Sequence, residues 1–386
     1  MTKLVQDIQS NHETISAVVF DRFYAEEAYS FRIRELCPNA VRILDMQDIH
    51  SLRIGRQQLV KEFDQQHTND TGKKAIELPA ELMESVLKFN PSTHIWTRDN
   101  SQNTTAKNTF LRELASIHRS DLVLVCGNAE MNMLQQQSWN VAPWKLTPAS
   151  FFQTKVDDTT LRSYEERCDF VSIGGFKHPP NVDSVRLLRR IWPRIRSLLP
   201  HVKLHTYGAY PTNEIQSMHN EKMGFYVHGH IEDINDALRQ RRVLLAPLRF
   251  GAGIKGKILD SWVNGVPVVT TSIGAEGMSH HHSDEITNEF DWGGLVVSNE
   301  DEFVEAAVKL YTSREVWKDC QSKALGLVNT LFNKGNNLQS IDDALDDAII
   351  YLEHRRNEDT IGQLLWHQNN RSTEYFSKWI ELKETK

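Results

Sequence analysis

Short apolar runs, separated by polar stretches of helical period, recur along the chain. "AVVF" (17–20), "VRIL" (41–44) and "DLVLVCG" (121–127) read as buried strands. Between the first two, "AEEAYSFRIRELCP" reads as a helix stopped by Pro38. Residues 52–90 are polar and helix-prone, with a loop near "QQHTNDTGKK". "NTFLRELASIHRS" carries Phe110, Leu114 and Ile117 at helical spacing, and "NAEMNMLQQQ" reads as the next helix. Residues 146–169 have no clear period and are expected to hold an interdomain linker. From Phe170 the pattern becomes regular, with strands expected at 170–174, 203–208, 225–229, 242–247 and 266–271. Each is followed by a loop and a helix-like stretch, which argues for an α/β, doubly wound parallel sheet. Helix 181–199 has a core-facing stripe of Val182, Val185, Leu188, Trp192, Ile195 and Leu199. Pro193 is expected to kink or split it. After Asp301 the chain reads as helical almost to its end, closing with the amphipathic segment "STEYFSKWIELK".

Length and composition add limits. At 386 residues, two domains are the first expectation. Apolar residues at 40% and charged residues at 25% fit an ordinary soluble protein. The net charge of −7 gives no global reason to expect nucleic acid. No apolar run reaches a membrane-spanning length, and "MTKLVQDIQSNHETIS" lacks an apolar signal region. The four cysteines, Cys37, Cys126, Cys168 and Cys320, form no C-x-x-C, and reduced thiols in a cytoplasmic protein are expected. The sequon at Asn69 carries no weight without a secretory signal. His280, His281 and His282 invite a metal reading, but no carboxylate or cysteine has fitting spacing, so no metal is expected.

The main chemical feature is "RFGAGIKGKILDSWVNG" (249–265), a literal G-x-G-x-x-G at Gly251, Gly253 and Gly256. Glu276 lies twenty positions beyond the last glycine, as a dinucleotide fingerprint requires. Three features disfavour that reading. Several strand–helix units precede the loop, whereas the fingerprint belongs to the first strand of its domain. Residues 247–250 separate strand from glycine, and Lys255 and Lys257 flank the third glycine. Glycines that admit close backbone approach, a helix N-terminus and cations describe a phosphate site of another kind. Arg249 adds a fork of donors. The plainer alternative is a glycine-rich turn with surface lysines.

The surrounding sequence decides between them. "APLRFGAGIKGKILDSWVNGVPVVTTSIGAEGM" resembles the donor-binding half of glycosyltransferase family 4, the group 1 glycosyltransferases of GT-B fold. It is most similar to a subgroup with a "PLR-G-GIKGK" donor loop. "FVSIGGFKHPPNVDSV" resembles that subgroup's other signature. The resemblance is clear over 168–280, weaker over 17–135, and absent from the C-terminal tail.

The resemblance implies transfer of a sugar from a nucleoside diphosphate sugar, usually with retention and without a metal or other cofactor. Lys257, with Lys255 and the N–H groups from Gly253 to Gly256, would stabilise the leaving diphosphate. Asp260 stands where the family's glutamate meets the ribose, and Glu276 and Gly277 match the "GAEG" segment that holds sugar hydroxyls. Gly174 and Gly175 would permit backbone approach, with Phe176, His178 and Asn181 matching "G-F-H-PN". His50, in "DMQDIH", resembles the family's strand-end histidine and is the catalytic candidate beside Lys257, supported by Asp48 and Arg53. Glu130 opens a helix where acceptor or interdomain contacts would form. Each residue also has a plain alternative as a solvated charge, a helix-end carboxylate or a packed ring.

The chain departs from the family in places. Ala252 stands where many members carry a glutamate, and Gly175 and Pro180 stand where a basic pair is common. The first domain reads as shortened. The expected architecture is GT-B, two Rossmann-like domains facing a cleft. It comprises 1–155 on the acceptor side, 156–355 for the donor, and a helical tail, 356–386, packing back on the first domain. The expected partners are a UDP- or GDP-sugar and a glycan, lipid or protein acceptor. A non-catalytic nucleotide-sugar binder and a sugar-nucleotide epimerase remain the alternatives.

Overall fold

A computed structural model describes residues 15–67, 76–79, 82, 83, 103–279, 292–367, 379 and 383. The histidine run at 280–282 and most of "STEYFSKWIELK" lie outside these residues. The chain divides into two compact units. One takes the described residues up to Ser51, Thr104–Ala149 and those from Gly335 on. The other takes the described residues within Leu52–Asn103 and Ser150–Lys334.

The first unit holds a parallel sheet in the order β1 (Ala17–Asp21), β2 (Val41–Asp45), β3 (Leu122–Val125), β4 (Leu146–Pro148). The three apolar runs at 17–20, 41–44 and 121–127 each form a strand, and β4 is an addition that too few residues announce. Helices Arg22–Leu36, Asn103–Arg119 and Asn128–Leu134 belong here, and helix His50–His67 begins here, its residues from Leu52 on belonging to the second unit. Helices Lys334–Ile350 and Leu352–Glu358 return to this unit, where Ala348 packs with Val41, Ile43 and Leu122.

Polar contacts fasten that return. Asp121 accepts from both Arg42 and Arg356, and its pKa is held down by these two guanidiniums against the effect of burial. Buried Lys145 donates to the carbonyls of His118 and Ser120 and to Asp359.

The second unit holds a six-stranded parallel sheet, ordered β10-β9-β8-β5-β6-β7. These are β5 (Cys168–Ile173), β6 (Leu204–Tyr207), β7 (Phe225–Gly229), β8 (Arg241–Ala246), β9 (Val268–Thr270) and β10 (Gly294–Val296). Side chains alternate between two buried faces. Phe170, Val243 and Leu245 face one core, with helices Pro179–Leu198 and Glu300–Thr312. Val171, Leu244 and Ala246 face the other, with helices Gly256–Val263 and Arg314–Thr330. Burial on both faces is why these strands read as continuous apolar runs rather than as alternating ones.

Helix Pro179–Leu198 is not split at Pro193. That residue lies on the exposed face, where the carbonyl its missing N–H leaves unbonded can meet water. The opposite stripe of Val185, Leu188, Trp192 and Ile195 is buried and holds the helix together. The sheet order has a consequence for binding. The chain starts at the central β5, runs outward to β7, then returns to β8 on the other side. The β5/β8 pair is thus the topological switch point, where open α/β sheets bind ligands beyond the strand ends.

Candidate functional site

The loops after β5 and β8 flank that switch point. After β5, Gly174 has φ +150°, and a Cβ there would lie 2.6 Å from the Asn181 side chain. A Cβ at Gly208, after β6, would run still closer into the Gly174 carbonyl oxygen. This packing leaves Asn181 to bridge two segments of the site. Its Nδ2 donates to the Gly175 carbonyl at 2.8 Å, and its Oδ1 accepts from Lys257 Nζ at 2.5 Å. Lys257 lies in the first turn of helix Gly256–Val263, whose N-terminus no side chain caps. The ammonium thus meets the helix end and the β5 loop together, an arrangement suited to an anion.

A cavity of about 350 Å³ opens here. Its walls come from Ile173–Gly175, Asn181, Tyr207–Ala209, His230, Ile231, Ile234, Lys257 and Asp260. Apolar Ile173, Tyr207, Ile231 and Ile234 line one part, and Lys257 and Asp260 supply the polar part. Burial, with Lys255 adding like-charge repulsion, pulls the Lys257 pKa down to about 8. Burial pushes the Asp260 carboxyl up. Gly174, Gly175, Asn181, Lys257 and Asp260 therefore converge on one cavity, although they come from segments some 80 residues apart.

The glycine loop is fixed from within and from helix His50–His67, whose residues from Leu52 on belong to the same unit. Gly253 has φ +65°, and its carbonyl accepts from buried Lys255 Nζ at 2.5 Å. The Gly251 carbonyl accepts from Arg56 Nη1 at 2.8 Å. Arg56 also forms a two-pronged pair with Glu276, at 2.9 and 2.7 Å, and the two side chains are only 1% and 7% exposed. Burial pushes the Glu276 carboxyl up, but Arg56 and then Lys255 outweigh it, so its pKa is lowered. Gly277, with φ +75°, turns the chain directly after it.

Arg249 and His178 stand elsewhere. The Arg249 fork is held by Asp183 at 2.6 and 2.8 Å and by Asp64 at 2.8 and 3.0 Å. Burial works against its charge, and the two carboxylates more than offset this, so its pKa is raised. It lines a second cavity of about 320 Å³, with Asp64, Asp183 and Phe176 among its neighbours. His178 is exposed at the N-cap position of helix Pro179–Leu198 and does not line the first cavity. Sequence reasoning missed Arg56, Asp64 and Asp183. Arg56 sits 220 positions from Glu276 in a helix with several other polar residues, and no local signal sets it apart.

In the first unit, His50 begins helix His50–His67. Its Nδ1 lies 3.2 Å from both the carbonyl and the Oδ1 of Asp48. Phe23 and Tyr24 meet the ring edge-on. Two buried glutamates also reach this helix end. Glu130 accepts from Ile49 N at 2.8 Å, and Glu113 accepts from His50 N at 2.6 Å. Glu130 thus serves a neighbouring helix end rather than standing open at the start of its own helix. Among the described residues, no three His, Cys, Asp or Glu side chains are grouped to hold a metal ion. No described helix is long and apolar enough to cross a membrane.

Comparison with known proteins adds to this geometry. Residues 167–313 match the sequence profile of the family "Glycosyl transferases group 1". A comparison with curated proteins gives no match. Among solved structures, the pneumococcal O-GlcNAc transferase GtfA, in complex with UDP and GlcNAc, superposes with TM-score 0.56 at 11% identity. That match covers 90% of this chain and 60% of GtfA. Anabaena HepE, in complex with UDP and glucose, gives 0.55 at 12% identity over 89% of this chain and 82% of its own. TarM gives 0.53 at 13% identity over 84% of this chain and 58% of its own. The chain thus spans about three-fifths of the GtfA and TarM structures. At these identities the likeness establishes the fold: two parallel-sheet, Rossmann-like units of GT-B type. The profile match covers the stretch from β5 to helix Glu300–Thr312, and over that stretch the chain is similar to the group 1 glycosyl transferases.

Proposed function

We propose that the protein is a glycosyltransferase that takes a sugar from a nucleoside diphosphate sugar, UDP- or GDP-linked, and passes it to an acceptor with retention of configuration. The observation that carries this is the cavity at the β5/β8 switch point, with Lys257 at its helix end and Asp260 one turn further on. The apolar walls suit a nucleoside, and Asp260 suits the ribose hydroxyls. Lys257, with Lys255 behind it, suits the diphosphate. GtfA and HepE, of the same fold, are solved with UDP, which agrees with this donor class.

In the transfer, the bond from the anomeric carbon to the phosphate oxygen breaks, and its electron pair leaves with the nucleoside diphosphate. The acceptor oxygen bonds to the anomeric carbon, and its proton passes to the departing phosphate oxygen. Charge on the departing phosphate grows toward the transition state, so a fixed ammonium and an aimed helix end lower the barrier. Lys257 supplies the ammonium, held in place by Asn181, and helix Gly256–Val263 supplies the end. In this reading Glu276 keeps the glycine loop in shape through Arg56, and His50 acts on the acceptor or the transition state. Retention and independence of metal follow from the family resemblance.

The test incubates the protein with UDP- and GDP-sugars, follows release of free nucleoside diphosphate, and reads the product's anomeric configuration by NMR. We expect slow hydrolysis of one donor, lost in Lys257→Met with the fold intact. A donor that binds without ever turning over would leave a binding protein, and an epimerised sugar would leave an epimerase.

A further inference from the structure

Three consecutive backbone N–H groups at the start of helix His50–His67 end on buried carboxylates. Ile49 N donates to Glu130, and His50 N and Ser51 N donate to the two oxygens of Glu113. Ser51 Oγ adds a donation to Glu113 at 2.5 Å. Both glutamates are 1% exposed and come from different helices. An isolated helix end needs much less. One Ser, Thr, Asp or Asn at the N-cap serves at a fraction of the desolvation cost of two buried carboxylates.

Glu113 differs from Glu130 in what else it meets. Its Oε1 lies 3.7 Å from His50 Nδ1, on the same side of the ring as the Asp48 carboxylate and carbonyl. With acceptors gathered at Nδ1, that nitrogen carries the proton, and Nε2 is the one able to accept another. The charge on Glu113 favours that second proton. The same oxygen that accepts from the His50 main chain thus faces the His50 ring. Burial pushes the Glu113 carboxyl up to about 7, with Asp48 adding to the rise and the Ser51 and His50 donors opposing it. Its charge therefore changes near neutral pH. Among the described residues, the other charged and titratable groups near the pair include Asp48, Arg22, Tyr24, Glu130 and Arg112, which is paired with Glu27.

We infer that Glu113 is a positioning residue for His50, fixing the ring through the helix end and setting the proton affinity of Nε2 through its own charge. The inference rests on the reading of His50 as the residue that acts on the acceptor or transition state.

The test is Glu113→Gln, which keeps an acceptor for the His50 N–H and removes the charge. Glu130→Gln is the control, which alters the same helix end at Ile49 N. The His50 ring is titrated by NMR in the full chain, alongside the pH profile of donor turnover. In Glu113→Gln, the His50 titration and the acid limb of the profile are expected to move to lower pH by about one unit, and Glu130→Gln is expected to leave both in place. Equal behaviour of the two variants, or a His50 titration unmoved in folded Glu113→Gln, overturns the inference. Should Glu113→Gln fail to fold, the wild-type titration decides. Coupling to Glu113 requires two inflections in the His50 signal, and a single one overturns it. Full turnover in His50→Ala would sink the reading of His50 while leaving the coupled titration intact, so the two failures are distinguishable.

Discussion

Replacing Arg56 with Met tests how the glycine loop is held. The change keeps the length of the side chain but leaves the Glu276 carboxylate in a site where it is 7% exposed, with both oxygens unpaired. It also frees the Gly251 carbonyl. Removing one partner of a buried pair costs about 3–5 kcal/mol, because the surviving charge stays desolvated. For a unit of this size, that lowers the melting temperature by roughly 6–20 °C. The sign of the pH dependence follows from Glu276. In the wild type its pKa is lowered, so its pairing stabilises the fold above the unfolded-state pKa and is lost as pH falls through the folded value. In Arg56→Met only Lys255 still opposes burial, so that pKa rises above its wild-type value, and the defect is full at neutral pH and shrinks as acid protonates the carboxyl. Urea unfolding of the full chain at pH 7 and pH 5, followed by tryptophan fluorescence, reads both effects. The double variant Arg56→Met/Glu276→Leu is expected to recover most of the loss. A single-variant loss below about 1 kcal/mol, or one equal at both pH values, would refute the reasoning.

Other consequences follow from the same structure. Lys257, with its pKa near 8, is mostly charged at pH 7 and mostly neutral at pH 9. The UDP dissociation constant measured by calorimetry is therefore expected to rise about ten-fold between them, and a flat profile would remove Lys257 from the diphosphate. Gly174→Ala puts a Cβ 2.6 Å from Asn181 at φ +150° and is expected to cost about 1–3 kcal/mol in urea unfolding. Gly175→Ala, with nothing within 4 Å, is expected to stay within about 0.5 kcal/mol, and similar costs for the two would contradict this packing. Lys145→Met leaves Asp359 and two carbonyls without their donor, so amide exchange in helix Leu352–Glu358 should quicken by at least ten-fold. Unchanged exchange there would mean that the return of the C-terminal helices does not depend on this lysine.

Much of the fold is legible in the chain because the strands from β5 to β9 are buried on both faces. Runs such as "RVLLAP" and "VPVVTT" announce themselves, whereas β4 lies among polar residues and a proline and β10 opens on a glycine, so neither stands out as an apolar run. Pro193 illustrates how tertiary packing overrides a local breaker. The site is legible where motif and backbone agree. Gly174, Gly175, Asn181, Lys257 and Asp260 are named by the sequence and meet in space. Charges are harder to read, because a side chain's partner decides its role. Arg249 looks like a phosphate fork until Asp64 and Asp183 are seen holding it. Glu276 looks like a free carboxylate until Arg56 arrives from 220 positions away. Glu113 has no motif at all, and only the fold brings it to His50.

The central claim is that the cavity at the β5/β8 switch point takes a nucleoside diphosphate sugar. The most direct measurement is a thermal-shift titration with UDP, GDP, their sugars and NAD, in the wild type, Lys257→Met and Asp260→Asn. One nucleoside diphosphate and its sugar are predicted to stabilise the wild type, by about 2.7 kcal/mol at a hundred-fold excess over the dissociation constant. Both variants are predicted to lose about half of that shift or more, as a dissociation constant raised about ten-fold requires. Stabilisation by NAD alone, or an equal shift from the same nucleotide in all three proteins, would contradict the account.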